Sequence, residues 1–287
     1  MRIALLKVWD SSERGAVLKD LMKLSCKYTD SDGVMETIRD SETSFVKVYS
    51  SAQAIADFSV ALKIKRNDSY CQLPFCHTVE AEAMGGQIRT GDETAGDRAG
   101  KLVYDSLEQL FDIHFDYTVC RIRNMIEACR ILKNRGEIVV YNVNGPFSIL
   151  NCLIDTTLLF KVWRKKQSKV RLLFDNLRSE LLQYIDKICA AGTDYISFAD
   201  PVGTPKILGP HCAKSVTEIF TVPFLKSAQL VCKNRTNIYL CPMTVGALDA
   251  FSYVEYKDVD INPSQGILIH GCIKNMPKKQ ITLQFKL

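Results

Sequence analysis

Four short apolar runs along the chain each end in polar or reactive residues, as in YISFADP and NIYLCPM. The side chains at these four ends are Asn142, Asn144, Asp200, Cys241, His270 and Cys272. If the runs are strands of one sheet, they fix the backbone, and the residues that follow them project into the mouth of a ligand-binding face. Ordinary strand-to-loop turns use the same residue types and explain any one of these endings equally well.

Helical periodicity fills the stretches between these runs. Apolar residues at helical spacing predict helices over residues 13–25 and 51–65, a helical stretch over 102–133, two helices within 149–190 and another after Pro210. Strand alternating with helix predicts a parallel sheet, so we interpret the chain as an α/β fold of the TIM-type (β/α)8 barrel class. An open doubly wound sheet is the alternative, although no G-x-G-x-x-G turn marks a dinucleotide site.

The segment YCQLPFCHTVEAEAMGG predicts a short apolar run and then a helix whose first turn contains Glu80. Thr78 can cap this helix, and His77 lies at its start, where an imidazole can donate or accept a proton at the mouth. Capping explains His77, and the helix dipole explains Glu80, equally well. The glycine-rich segment 86–101 predicts a loop that acts as a mobile lid or contacts a ligand.

Length and composition favour one large domain. The chain has 287 residues, of which 47% are hydrophobic and 24% charged, enough for a sizeable core. We predict a single domain over residues 1–287, in which a helical segment of about residues 1–65 packs on a barrel of about residues 66–287. A homodimer is compatible with this composition.

The charge pattern argues against nucleic acid as a partner. The net charge of +5 is small for this length. The basic cluster consists of Arg164, Lys165, Lys166, Lys169 and Arg171. It lies on one helical stretch, as in a solvated helix face, and a docking surface for an acidic partner protein fits it equally well.

Cysteine usage and hydropathy indicate the compartment. Eleven cysteines are scattered through the chain without a signal peptide at its start, so we expect reduced thiols in the cytoplasm. No run approaches the roughly 20 consecutive apolar residues that cross a bilayer, so we expect no membrane span.

Three blocks resemble motifs of a known superfamily. PFCHTVEAEAMGG, NVNGPFSILNCLI and AAGTDYISFADPVGTPKILGPHCAKSV are similar, in this order, to motifs of the uroporphyrinogen decarboxylase superfamily. The first block resembles the cobalamin-dependent methyltransferase branch. The resemblance implies a barrel that moves a methyl group between a corrinoid protein, which carries cobalamin, and a small acceptor. The Arg-rich segment with which the decarboxylases hold their substrate has no counterpart here, which argues against porphyrin chemistry.

The same resemblance bears on zinc. Thiol-specific methyltransferases of this branch hold zinc through a His-x-Cys pair and a later Cys. YLCPMT matches the first motif at Cys241 but has Tyr239 in place of the histidine, and IHGCIKN resembles the later turn at Cys272. A set of about four ligands then needs His270, Glu80, Tyr239 or water. Two strand-end thiols without a metal are the alternative.

The end of the chain departs further from the family. Only about two dozen residues separate YLCPMT from GILIHGC, fewer than a full strand, helix and strand unit takes. We therefore expect shortened or modified terminal units in the barrel. Replacement of the zinc histidine by tyrosine shifts the expected acceptor from a thiol toward a tetrahydrofolate-like amine, which needs no metal.

The resemblance and the strand ends together give a set of predicted roles. The predicted catalytic residues are Asp200, His77 and Glu80; the predicted cofactor-binding residues are Asn142, Asn144 and Tyr239; the predicted metal ligands are Cys241, Cys272 and His270. The alternative functions are a decarboxylase-like lyase and a non-catalytic barrel that acts as a binding or scaffold protein.

Overall fold

The computed structural model describes residues 33–92, 94–257, 266–272 and 281–286. The helix predicted over residues 13–25 lies outside this part of the chain. The described helices are α1 (Val34–Asp40), α2 (Phe45–Val48), α3 (Ala52–Arg66), α4 (Val79–Ala83), α5 (Cys120–Asn134), α6 (Pro146–Leu150), α7 (Thr156–Lys165), α8 (Gln167–Ala190), α9 (Pro205–Val216), α10 (Val222–Cys232) and α11 (Pro242–Ala250). A 3-10 turn covers Leu107–Leu110, and a π-helical turn covers Thr217–Thr221.

The described strands form one large sheet and one small hairpin. They are β1 (Cys71–Leu73), β2 (Ile88–Arg89), β3 (Arg98–Ala99), β4 (Val139–Asn144), β5 (Tyr195–Ala199), β6 (Asn237–Leu240), β7 (Val254–Lys257), β8 (Leu268–His270) and β9 (Ile281–Phe285). The four strands predicted from apolar runs ending in polar residues correspond to β4, β5, β6 and β8.

Five strands of the large sheet are parallel neighbours, in the order β1-β4-β5-β6-β8. Strands β9 and β7 extend the sheet in antiparallel fashion. Among the described residues, no hydrogen-bonded pair joins β1 to β7. The parallel β/α succession with an altered end confirms the predicted α/β fold of TIM-barrel type with modified terminal units.

Strand β4 shows how the sheet separates an apolar face from a polar one. All six of its residues are buried, because helices cover one side and the curved sheet covers the other. Val139, Tyr141 and Val143 belong to the main hydrophobic core. Since successive side chains of a strand alternate, Asn142 and Asn144 project from the opposite, inner face.

The sheet is curved around this inner face. Tyr70, just before β1, belongs to one buried cluster with Val140, Tyr239 and Ile269 from β4, β6 and β8. Tyr70 also interacts electrostatically with Tyr239 and with Cys272, which follows β8. In a flat sheet, four strand spacings would separate β1 from β8 by about 19 Å. The interaction across this gap therefore indicates that the sheet rolls toward a barrel.

The N-terminal helices pack beside the first strand. Helix α3 was predicted over residues 51–65 and begins where the Ser51 side chain accepts a hydrogen bond from the Ala54 N–H at 3.1 Å. It ends at Asn67, whose φ of 55° is left-handed. Ser59 of α3 donates to the carbonyl of Gln72 in β1 at 3.0 Å. The division into a helical segment and a barrel stays a prediction.

Two predicted segments differ from the structure. Of the helical stretch predicted over 102–133, only the part from Cys120 onward is a long helix. The Asp116 carboxylate accepts from the Thr118 N–H at 2.8 Å, a local turn that competes with helical hydrogen bonding. The predicted loop over 86–101 contains the hairpin of β2 and β3. Strands β7 and β9 were not predicted.

Candidate functional site

The carboxyl ends of the parallel strands meet at one edge of the sheet, here called the mouth. His77 lies in the segment after β1, and Asn144 is the last residue of β4. Asp200 follows β5, and Cys241 follows β6. Parallel strands place these residues at one edge of the sheet, as the pattern of apolar runs predicted for Asn144, Asp200 and Cys241.

A hydrogen-bonded chain connects Glu80, Asn144 and His77. The backbone N–H of Asn144 donates to Glu80 Oε1 at 3.0 Å, and its side-chain Nδ2 lies 2.7 Å from Glu80 Oε2. At the other end of the same amide, Asn144 Oδ1 lies 2.6 Å from His77 Nδ1. Glu80 and Asn144 are both fully buried, so these bonds form without competition from water.

The chain of hydrogen bonds assigns a tautomer to His77. An ionised Glu80 can only accept, so the Asn144 amide points its NH2 group at Glu80 and its oxygen at His77. Nδ1 of His77 must then carry a proton and donate it to Asn144. In the neutral imidazole, the lone pair consequently lies on Nε2. The arrangement fixes both the orientation of the ring and the atom that can accept a proton.

The charge on Glu80 depends on two opposing effects. Burial raises the pKa of Glu80, whereas the two hydrogen bonds from Asn144 and the nearby His77 imidazole lower it. The bonds to Asn144 favour the ionised form because one N–H group of Asn144 points at each oxygen of the carboxylate. Glu80 is thus a buried acceptor that holds Asn144, and Asn144 in turn holds His77.

Asp200 fastens the loop after β4 to the loop after β5. Its Oδ1 accepts from the Ser148 N–H at 2.9 Å and from Ser148 Oγ at 2.7 Å, and its Oδ2 accepts from the Phe147 N–H at 3.2 Å. Burial raises the pKa of Asp200 to about 6, against the lowering effect of these donors and of the Gly203 N–H. Its contacts are those of a clamp on the first turn of α6.

Two glycines make room for the Asp200 carboxylate. A Cβ built on Gly145 or on Gly203 would overlap the side-chain atoms of Asp200. The glycines of NGPF and DPVG are therefore required by this close approach. Asp200 lies next to Asn144 through Gly145, whose N–H donates to the carbonyl of Ala199 at 2.9 Å.

Other predicted residues line the inner face below the mouth. Asn142 accepts from Ser197 Oγ of β5 at 3.1 Å, and both side chains are buried. Tyr239 is fully buried in the inner cluster, with its ring centroid 5.2 Å from that of Tyr195. Asn142 and Tyr239 therefore occupy the barrel interior, and their cofactor-binding role stays a prediction.

The three predicted metal ligands are not gathered into one cluster. His270 pairs with Leu240 in the register of β8 and β6, and Cys241 follows Leu240 as the residue that precedes α11. The His270 ring lies against Tyr256 at a centroid distance of 6.2 Å, and burial lowers the pKa of His270 while Asp249 opposes this shift.

Within the part of the chain that the structure describes, no group of three or more His, Cys, Asp or Glu side chains is arranged to hold a metal ion. Zinc ligation by Cys241, Cys272 and His270 therefore stays a prediction, and no step of the reaction proposed below involves a metal.

Sequence reasoning missed a buried ionic cluster beside His77. Arg121 at the start of α5 forms an ion pair with Glu82 at 2.8 Å, and a second with Asp97 of the segment 86–101. Its guanidinium also lies 3.8 Å from Cys76 Sγ. Asp97 has no exposed side-chain surface, so the cluster anchors the β2–β3 hairpin beside the mouth. No local sequence signal links these separated residues.

Ser148 was also missed, although it completes the Asp200 clamp. The signal that could have found it is its position in NGPFS, because a serine in the first turn of a helix can share an acceptor with the backbone N–H groups there.

These features define an α/β barrel-type protein with its polar residues at the carboxyl ends of the strands, and comparison with known proteins identifies the family. The model of the uroporphyrinogen decarboxylase (URO-D) family matches residues 34–267. The match covers most of the chain, so the chain belongs to the URO-D family.

The chain is similar to methyltransferases of this family. It is 23% identical over 243 residues to the methylcobamide:CoM methyltransferase MtaA of Methanosarcina barkeri, covering 83% of this chain and 70% of that protein. The values are the same for MtaA of Methanosarcina barkeri strain Fusaro / DSM 804.

A methyltransferase from Methanosarcina mazei has a similar solved structure, with a TM-score of 0.64 and 21% identity. The match covers 84% of this chain and 72% of that one, and supports the fold. Among the helices that the structure describes, none combines the length and apolar character needed to span a membrane.

Proposed function

We propose that this protein is a methyltransferase that moves a methyl group between a corrinoid, carried by a partner protein, and a small acceptor. The hydrogen-bonded chain from Glu80 through Asn144 to His77 is the observation that carries the proposal. The family and the similarity to methylcobamide:CoM methyltransferases support the reaction class. The acceptor is a thiol or a tetrahydrofolate-like amine.

The role proposed for His77 is to remove a proton from the methyl acceptor. A methyl-corrinoid supplies the methyl group, and a thiol or amine that receives it must lose a proton as the new bond to carbon forms. His77 Nε2 accepts this proton, because Nδ1 already carries a proton that it donates to Asn144 Oδ1, with 2.6 Å between the nitrogen and the oxygen. Glu80 fixes Asn144 and stabilises the imidazolium that results.

Positioning supports the same reaction. Displacement at a methyl carbon requires the acceptor and the leaving group to be in line, so rigid side chains at the mouth favour it. Asn144 is held at its backbone and at its side chain by one carboxylate, and Asp200 fastens the loop that follows it. We propose that Asp200 acts through this loop as a positioning residue, and that Asn142 and Tyr239 are interior residues that would help to hold the corrinoid when it is bound.

The decarboxylase alternative lacks support at the mouth. It requires cationic side chains facing the substrate's carboxylates. The described strand ends carry His77, Asn144, Asp200 and Cys241, and the nearby Arg121 is already engaged by Glu82 and Asp97.

The first experiment measures methyl transfer directly. The purified chain is mixed with methylcobalamin and either a small thiol, such as 2-mercaptoethanol, or tetrahydrofolate, and loss of the methylcobalamin absorbance is followed. We expect His77→Ala to reduce the rate at least about 100-fold, the usual contribution of a general base. His211→Ala is the matched control, because His211 lies exposed on α9 and its loss should leave the rate unchanged.

Two outcomes would contradict the proposal in different ways. A folded wild-type protein that turns over neither acceptor would indicate a non-catalytic barrel. Transfer by wild type that survives in His77→Ala would retain the methyltransferase assignment but remove His77 from the reaction. The homodimer predicted from the sequence stays a prediction, which light scattering on the same sample can test.

A further inference from the structure

Two buried cysteines meet far from the mouth. Cys189 lies in the last turn of α8, and Cys232 is the last residue of α10. Their sulfur atoms are 3.9 Å apart, and their side chains are 6% and 0% exposed.

The location separates this pair from the mouth. Helix α8 leads into β5 and helix α10 leads into β6, so both helices end near the amino ends of those strands. His77 and Asp200 lie at the opposite, carboxyl ends. In barrel folds, the carboxyl ends carry the chemistry, and residues at the amino ends act mainly on stability. The inference drawn from the pair therefore does not depend on the proposed methyl transfer.

The contacts of this pair differ from those of other buried cysteines. Cys129 Sγ donates to the Met125 carbonyl at 3.4 Å, and Cys152 Sγ donates to the Ser148 carbonyl at 3.5 Å. Such bonds satisfy a thiol within its own helix. Cys189 and Cys232 instead contact each other across two helices that are packed together.

The surroundings favour reactivity at Cys189. The hydrogen bond between the two thiols and the nearby Arg235 guanidinium lower the pKa of Cys189, although burial opposes them. Arg235 is held by Asp186 at 2.7 Å, on a part of the surface open to solvent. Because Cys189 keeps a small exposed fraction, we expect a small oxidant to reach it from the side of this ion pair.

We propose that Cys189 and Cys232 are an oxidative modification site, at which a peroxide converts the two thiols into a disulfide. A disulfide needs the sulfurs at about 2.05 Å, so they must approach by about 2 Å. Rotation of the side chains can supply much of this movement, because the two helices already touch.

The reaction balances with peroxide as the oxidant. The Cys189 thiolate attacks one peroxide oxygen; a bond forms between sulfur and oxygen, the O–O bond breaks, and hydroxide leaves and takes up a proton to become water. Cys232 then attacks the sulfenic sulfur of Cys189; the S–S bond forms, and a second hydroxide leaves as water with the proton of Cys232. Two thiols are oxidised and one peroxide is reduced to two waters.

The test maps the bond in the full-length protein. The chain is treated with hydrogen peroxide near equimolar amounts, alkylated and digested with trypsin without reduction. Cleavage after Lys and Arg places Cys189 in the peptide 188–206 and Cys232 in the peptide 227–233, each with one cysteine. We expect these two peptides as one linked species that disappears on reduction. The closed loop should also raise the melting temperature by about 5 °C.

Variants separate this site from general oxidation. Cys189→Ala and Cys232→Ala should each abolish the linked species and the rise in melting temperature. Cys129→Ala, which removes another fully buried helical thiol, should leave both intact. If peroxide leaves both peptides unlinked in the wild-type chain, or links Cys189 to a different cysteine, the proposal is overturned. The peptide map of the wild type decides this even where a variant folds poorly.

Discussion

The two sides of the mouth differ in how their polar residues are held. On the side of β1, β4 and β5, Glu80, Asn144 and His77 form one chain of hydrogen bonds, and Asp200 fastens the adjoining loops. On the side of β6 and β8, Cys241 and His270 lie at the ends of neighbouring strands, but no group of three or more possible metal ligands is found among the described residues. Proximity of strand ends therefore does not by itself make a site.

The contacts of the side chains account for the difference. Glu80 accepts from both the backbone and the side chain of Asn144, and the Asn144 oxygen lies 2.6 Å from His77 Nδ1. On the second side, the His270 ring packs against Tyr256 and lies near Asp249. We therefore propose that the functional weight of the mouth lies on the first side.

The largest effect on unfolding free energy is expected from a substitution at Glu80 that breaks the buried chain of hydrogen bonds. In Glu80→Gln, one acceptor oxygen becomes an NH2 group that faces a hydrogen-bond donor of Asn144. A buried unsatisfied donor costs about 1–3 kcal/mol of unfolding free energy, which urea titration would measure. Because His77 loses its fixed orientation, we also expect the transfer rate to fall at least about 10-fold.

The exposed carboxylate Glu127 offers the matched control. It pairs with Arg130 at 2.6 Å on the surface of α5, so Glu127→Gln should change unfolding by less than about 1 kcal/mol and leave the rate unchanged. Equal effects of the two substitutions would show that the buried chain of hydrogen bonds contributes no more to stability or to the transfer rate than a surface ion pair does.

The sequence alone could predict most of the strands that form the mouth. The apolar runs identified β4, β5, β6 and β8, because a buried parallel strand has a short continuous apolar pattern. They also identified the residues at the strand ends. Strands β7 and β9 were not predicted because VEYK and ITLQF mix apolar with polar residues and are partly open to solvent, so neither is a continuous apolar run.

The arrangement within the site was harder to predict. Nothing local in the sequence shows that Asn144 bridges Glu80 and His77, or that Arg121 reaches Asp97, because these contacts depend on how distant segments pack. The metal set of Cys241, Cys272 and His270 rested on resemblance and spacing. Only the folded structure shows that the His270 ring packs near Tyr256 and Asp249.

An intermediate effect is expected at Asp200, with a defined pH dependence. Burial raises its pKa from 3.8 to about 6 in the folded state. Between about pH 4 and pH 6, the folded state therefore binds a proton that the unfolded state releases. The stabilisation from this group is fully present below about pH 4 and is lost as the pH rises to about 6.

Asp200→Asn should remove this dependence. The quantity to compare is the unfolding free energy of the wild type minus that of the variant. We expect this difference to be about 1–2 kcal/mol larger at pH 4.5 than at pH 7. Urea unfolding at the two values measures it, with Asp175→Asn, an exposed carboxylate on α8, as the control. If this difference instead grows as the pH rises, the pKa of Asp200 is not raised. Asp200 would then be ionised in the folded state, with a pKa below its ordinary value.

The smallest effect is expected at His270, on the second side of the mouth. Its ring packs near Tyr256 and Asp249, so His270→Ala removes a half-buried contact and should cost about 1 kcal/mol of unfolding free energy. Methyl transfer should stay within about twofold of wild type, and elemental analysis of protein purified without chelator should give the same zinc content for both. The double variant Cys241→Ser, Cys272→Ser, measured in parallel, tests the two thiols by themselves. Loss of bound zinc in His270→Ala would mean that the ring binds the metal, and both sides of the mouth would then take part in the reaction.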